Sequence, residues 1–152
     1  MNAKNIALIA ALASLGMLLG AFGFQYLGEM PPCKLCIWQR WPHAVAVLIG
    51  LVAFALPNRW LYLLGGALVL AGAAVALYHA GVEQHWWEGP TTCTSSGVGG
   101  LSGEDLMAQI MSAPLVRCDE IPWSMFGLSM AAWNGVVSLG IGGLWLAAFR
   151  KA

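Results

Sequence analysis

A chain of 152 residues that is 59% hydrophobic and only 9% charged, with a mean hydropathy of +0.72, is no ordinary water-soluble domain and is expected in a lipid bilayer. Seven basic and seven acidic residues give a formal net charge of zero, which offers no reason to expect nucleic acid as a partner. The length suits a single integral membrane domain over 1–152, without internal repeats or low-complexity tracts.

Four apolar runs, approximately 6–27, 37–56, 60–78 and 125–149, each approach the ~20 residues that a helix needs to cross the hydrocarbon core. The expected fold class is therefore an all-α membrane protein built as a four-transmembrane-helix bundle. The first run is longer than the ~7–15 apolar residues of a signal peptide and lacks a convincing cleavage site, so it is expected to be a retained helix. Pro57-Asn58-Arg59 leaves room only for a tight helical hairpin between the second and third spans. Four spans place both termini on one face with Lys4, Arg59, Arg150 and Lys151, against Lys34, Arg40 and Arg117 on the other. That thin margin favours cytoplasmic termini and periplasmic loops at approximately 28–36 and 79–124. The acidic residues, all on the cysteine side, agree.

The stretch Pro31-Pro32-Cys33-Lys34-Leu35-Cys36-Ile37-Trp38-Gln39-Arg40 carries the chemistry. Proline suits the first turn of a helix, so a helix is expected to start at or near Cys33. Cys33, Cys36, Arg40 and His43 then form a stripe along one face, with Pro42 a possible kink before His43. A helix N-terminus and a nearby arginine favour a thiolate, which is both the nucleophile of disulfide exchange and a metal ligand. Redox and metal readings both stay open. Cys33, Cys36, Cys93 and Cys118 all fall in or beside the two outer loops, where disulfides persist. Taken alone, Cys93 and Cys118 are best read as a staple of the long loop.

Along that loop, Tyr78 to Trp87 mixes rings and polar groups as an interfacial belt does, with Trp86 and Trp87 as belt residues and His85 solvated. Two roles are open to His79 at the outer end of the third span: hydrogen-bonding a bound head group, or capping the helix towards water. Residues 94–100 are rich in Ser and Gly, giving Cys93 a flexible setting. Ser102-Gly103-Glu104-Asp105 resembles a capping box, and Leu106, Met107, Ile110 and Met111 share a helical face. A short amphipathic surface helix in the second loop is expected. After Cys118, Pro122 breaks any helix and Trp123 anchors the interface. Gly127, Ser129, Ala131 and Ala132 are expected to allow close helix packing, and Asn134 to bond between helices.

Met30 to Arg40 with Cys-Lys-Leu-Cys and Gln-Arg, the Cys93 and Cys118 pair, and the run from Cys118 to Asn134 together resemble the disulfide bond formation protein B (DsbB) family. With the four spans, the likeness covers nearly the whole chain. It implies a bacterial inner-membrane thiol:quinone oxidoreductase that reoxidises a periplasmic, thioredoxin-like DsbA-type oxidase and passes the electrons to ubiquinone or menaquinone. By that resemblance Cys93 receives the partner as a mixed disulfide, Cys118 communicates with Cys33, and Cys36 faces the quinone. Arg40 matches the family's quinone-site arginine and His79 its histidine near the quinone, while His43 has no counterpart. A DsbA-type couple stands near about −120 mV and an ordinary structural disulfide below about −300 mV, so the latter would oxidise such a partner uphill by roughly 8 kcal/mol. A strong acceptor is required. The alternatives are a structural zinc site made by the four cysteines, or structural disulfides without redox turnover.

Overall fold

The computed structural model describes residues 1–90, 102–112 and 116–152, so Cys93 and the Ser/Gly stretch 94–100 lie outside the described residues. Its elements in chain order are α1 (Ala3–Tyr26), α2 (Lys34–Ala55), α3 (Arg59–Glu83), α4 (Gly103–Ser112), β1 (Ser124–Met125), β2 (Leu128–Ser129) and α5 (Met130–Lys151). Helices α1, α2, α3 and α5 are each long and apolar enough to cross a membrane. The protein is a multi-pass helical membrane protein, and the large apolar residues on its outside, such as Leu12, Leu19, Leu48 and Leu64, face lipid.

The four long helices close a ring in which α1 and α3 each pack against both α2 and α5. Asn58 makes the hairpin between α2 and α3 by capping α3, its side chain accepting the Trp60 N–H at 2.9 Å. At the end that holds the termini, Lys4 lies 4.0 Å from the Phe54 ring centroid and Arg59 4.7 Å from that of Phe149. The core there is apolar: Ala7, Ala10, Ala46, Ala53, Tyr62 and Trp145 are buried in one cluster. Trp145 closes it against a glycine, since a Cβ added at Gly65 would lie 2.9 Å from its ring. Small residues let helices approach where no hydrophobic force drives them together, so close packing carries this end.

Two helix boundaries depart from the sequence expectation. Helix α3 continues to Glu83, five residues past the expected Tyr78, and so takes His79 out of the loop and into the bundle. The last helix starts at Met130 and not at Met125, because residues 124–129 form a hairpin pairing Ser124 with Ser129 and Met125 with Leu128. Its two-residue turn puts both Phe126 (φ 53°) and Gly127 (φ 78°) in the left-handed region. Such turns match the twist of the strands, and glycine is the residue that enters them without strain. Gly127 therefore serves a turn and not helix packing. Ser129 caps α5 by accepting the Ala132 N–H at 3.1 Å. Helix α2 runs unbroken through Pro42, and α4 is the expected short loop helix, with Met107 and Met111 exposed.

Candidate functional site

The site lies at the loop end of the bundle and starts from Cys33. Pro31 and Pro32 lead the chain to Cys33, whose extended backbone makes it the N-cap of α2 while its Sγ accepts the Cys36 N–H at 3.2 Å. Cys33 and Cys36 are unpaired thiols, the first buried and the second half-buried. The hydrogen bond with the Cys36 side chain and burial push the Cys33 thiol up. The favourable helix terminus does not win at this cysteine.

The long loop folds back to bring a third sulfur to the same place. Cys118 is fully buried, in one cluster with Cys33, Leu35 and Val82. Beside it the Arg117 guanidinium grips the Asp119 carboxylate through two bonds of 2.9 and 2.6 Å, and holds that carboxyl below the usual range. Trp123 stacks obliquely on Phe24 of α1, with centroids 5.2 Å apart, so the loop covers the bundle's open end. Cys33, His79 and Cys118 offer ligand atoms within 4.8 Å of one another, a soft-donor group that could hold a cation such as zinc. Cys36 is outside that group and Cys93 lies outside the described residues, so the group that can be described is two thiols and an imidazole, and not the four thiolates of the alternative zinc reading.

From Cys33 a chain of buried polar groups runs inward, and two backbone carbonyls fix its direction. The Leu35 carbonyl can only accept, so the Gln39 atom 3.1 Å from it is the amide nitrogen. That nitrogen also donates to His79 Nδ1 at 2.8 Å, leaving His79 Nε2 to carry the ring hydrogen. His79 Nε2 lies 3.1 Å from the Cys118 carbonyl, another pure acceptor, and 3.6 Å from Cys33 Sγ. The two carbonyls demand the same tautomer. In the other direction, Gln39 Oε1 accepts from Asn134 Nδ2 at 2.6 Å, which turns Asn134 Oδ1 towards His43 Nε2 at 3.2 Å. Ser138 Oγ donates to the same Oδ1 at 3.3 Å. Glu83 closes the outer side: it accepts a short hydrogen bond from Ser129 Oγ, and its carboxylate is 4.0 Å from His79 Nε2.

Part of this polar chain lines a cavity of about 580 Å³, within the range of roughly 300–1,000 Å³ typical of small-molecule sites. Its wall includes Cys36, Gln39, Arg40, His43, His79 and Asn134, and its other surfaces come from α1 and the loop around Trp123. Arg40 stands at the rim, donating to Gln25 Oε1 at 2.5 Å and to the Ala21 carbonyl at 3.4 Å, with its cation 5.1 Å from the Phe22 centroid. These contacts leave donors of its five free for a ligand.

The stripe of Cys33, Cys36, Arg40 and His43 thus reaches one cavity, His79 and Asn134 join it from α3 and α5, and Cys118 meets Cys33 and His79 from the loop. Gln39, Glu83 and Ser138 were missed by sequence reasoning. A signal for them exists: Gln39 with His43, His79 with Glu83, and Asn134 with Ser138 are polar pairs four apart, each on one face of an otherwise apolar helix. His85 is exposed, as expected.

Comparison with known proteins agrees with this architecture. A family model described as disulfide bond formation protein DsbB matches residues 3–148. The chain is 30% identical to a disulfide bond formation protein B of Albidiferax ferrireducens over 88% of this chain and 80% of the relative. It is also 30% identical to the protein of that name from Alkalilimnicola ehrlichii, over 98% of this chain and 95% of the relative. An uncharacterised protein of Rickettsia prowazekii is 24% identical over 90% of this chain and 81% of its own length.

Proposed function

The chain belongs to the family of disulfide bond formation protein DsbB, and on that premise we propose that it is a thiol:quinone oxidoreductase of the bacterial inner membrane, with cytoplasmic termini. Its partner is a periplasmic DsbA-type thiol oxidase. The observation that carries this reading is that Cys33 meets both a loop cysteine and a cavity: Cys118 lies beside it, and Cys33 and Cys36 both line the cavity.

Each residue then has a role. The partner's thiol attacks Cys93 of a Cys93–Cys118 disulfide and releases Cys118, which attacks the adjacent Cys33 of a Cys33–Cys36 disulfide and releases Cys36. The partner's second thiol frees Cys93 from the mixed disulfide, Cys93 re-forms its bond to Cys118, and the Cys33 and Cys36 thiols so released on the first turn of α2 give their electrons to the quinone and pair again. His79 Nε2–H, within reach of Cys33 Sγ, steadies negative charge on that sulfur. A bound quinone supplies the acceptor for two electrons and two protons. The cavity's residues fit its head group: Arg40 offers donors to a carbonyl oxygen at the rim, and Cys36 lines the same cavity. In the net reaction two thiols of the partner become a disulfide, and their two electrons and two protons convert the quinone to hydroquinone.

The test is to mix purified protein with an excess of a reduced DsbA-type oxidase and a short-chain ubiquinone. One quinone should be consumed per two partner thiols, and Cys36→Ser should abolish this while still allowing a mixed disulfide with the partner. Turnover by the Cys36→Ser variant would contradict the assigned electron exit. A thiolate and imidazole metal site is the second reading, motivated by the grouping of Cys33, His79 and Cys118. Stoichiometric zinc in purified protein that consumes no quinone would select it.

A further inference from the structure

Phe126 occupies the first position of the turn between β1 and β2 with φ 53°, a place that asparagine, aspartate or glycine ordinarily takes. A bulky residue at positive φ is an outlier that its surroundings must hold in place, yet Phe126 is 88% exposed and little within the molecule touches it. Its neighbours Met125 and Leu128 are exposed too. No charged residue occurs between Glu120 and Arg150, so the apolar stretch runs from the hairpin straight into the last span, where Val136 and Leu139 are exposed to lipid. Two contacts fix the hairpin's depth. Ser129 donates a hydrogen bond to Glu83 at the end of α3, and Trp133, in the first turn of α5, donates its indole N–H to the Met125 carbonyl at 3.0 Å. Phe126 is three residues from Ser129 and so stays within about 10 Å of the ends of both spans, a depth that interfacial elements occupy.

We propose that this hairpin is a membrane anchor: Phe126, flanked by Met125 and Leu128, inserts into the headgroup–acyl boundary of the leaflet on the loop side. The bilayer, and not a protein, is the occupant, because the hairpin continues the lipid-facing surface and carries no charge with which to select a partner. Aromatic rings favour that boundary, so burying the ring there offsets the backbone conformation that presents it. The anchor also bears on the site. Its first residue, Ser124, is six residues beyond Cys118, whose carbonyl accepts from His79 Nε2, and Trp123 between them packs on Phe24. Pinned at its far end, the segment from Cys118 to Ser124 stays on the bundle and Cys118 stays beside Cys33.

The experiment replaces Phe126 by the photoreactive residue p-benzoylphenylalanine in the full chain, reconstituted in nanodiscs of phosphatidylcholine and phosphatidylglycerol. Adducts formed on irradiation are mapped by mass spectrometry, with the same replacement of lipid-facing Leu12 as the positive control. Adducts of phospholipid mass are expected at position 126 as at position 12. Adducts to protein alone, whether a second copy or an added DsbA-type oxidase, would overturn the proposal, as would no adduct at 126 while position 12 reacts. A second measurement reads the consequence for Cys118, in a chain carrying Cys33→Ser, Cys36→Ser and Cys93→Ser: the rate at which a membrane-impermeant maleimide modifies the remaining thiol. Phe126→Gly suits the turn and should leave the chain folded, yet in nanodiscs it should raise that rate about tenfold, whereas Phe126→Leu should stay within about twofold of the parent. Lipid adducts together with unchanged Cys118 modification in Phe126→Gly would overturn the tie between the anchor and Cys118.

Discussion

The two ends of the bundle use the same four helices for opposite purposes. At the terminal end the buried residues are mostly Ala, Ile and Tyr around Trp145, and helices meet because glycine and alanine let them approach. At the loop end Gln39, His43, His79, Glu83, Ser129 and Ser138 are buried instead, joined in hydrogen bonds around a cavity. Polar groups in the bilayer are expensive, and a bundle held by packing alone would not need them. Their concentration at one end separates a terminal end held by packing from a loop end whose buried polar groups surround a cavity.

That division can be broken from either side. The largest effect is expected from the terminal end, where Trp145→Ala should cost about 3–5 kcal/mol of stability by analogy with large-to-small core changes, and Gly65→Val about 1–3 kcal/mol by forcing a Cβ into the same ring. Both losses should appear as lower thermal midpoints in detergent. The fraction that stays folded should keep the parent's KM for quinone. A changed KM would show that the two ends are coupled.

A smaller effect with the reverse signature is expected at the rim of the cavity. Arg40→Met should reduce kcat/KM for quinone by about tenfold to a hundredfold, raising KM and lowering kcat, because a charged donor to the carbonyl oxygen is lost. Single-turnover exchange with the reduced partner should survive, and the thermal midpoint should move little. Arg40→Lys should rescue only in part, keeping the charge without the planar fork. Unchanged quinone kinetics in Arg40→Met would return Arg40 to an anchor between α1 and α2.

The terminal end and the four spans were legible in the sequence because hydrophobicity over ~20 residues is a local signal. Cys33 as the start of α2 was legible too, from the two prolines before it. The far boundary of α3 was not: Tyr78 to Glu83 reads as an interfacial belt, and only the burial of His79 and Glu83 against Cys118 and Ser129 makes it the last turn of a core helix. The start of α5 was misplaced for a similar reason, since Met125 to Ser129 is apolar enough to extend a span, and the strand pairing that excludes it depends on Phe126 adopting a positive φ. Asn134 was correctly read as a bond between helices. Its partners Gln39 and His43, some ninety residues earlier, were beyond what one stretch of sequence can specify.

A quinone that takes electrons from Cys36 has to sit in the loop-end cavity. Photolabelling of the purified protein with a photoreactive ubiquinone analogue, followed by mapping of the modified peptides, tests this placement directly. Labelling should concentrate on the segments around Cys36 to His43, His79 and Met130 to Asn134, and fall away with excess unlabelled quinone. Labelling around Tyr62 and Trp145, or labelling spread over the lipid-facing surface and indifferent to competitor, would contradict it.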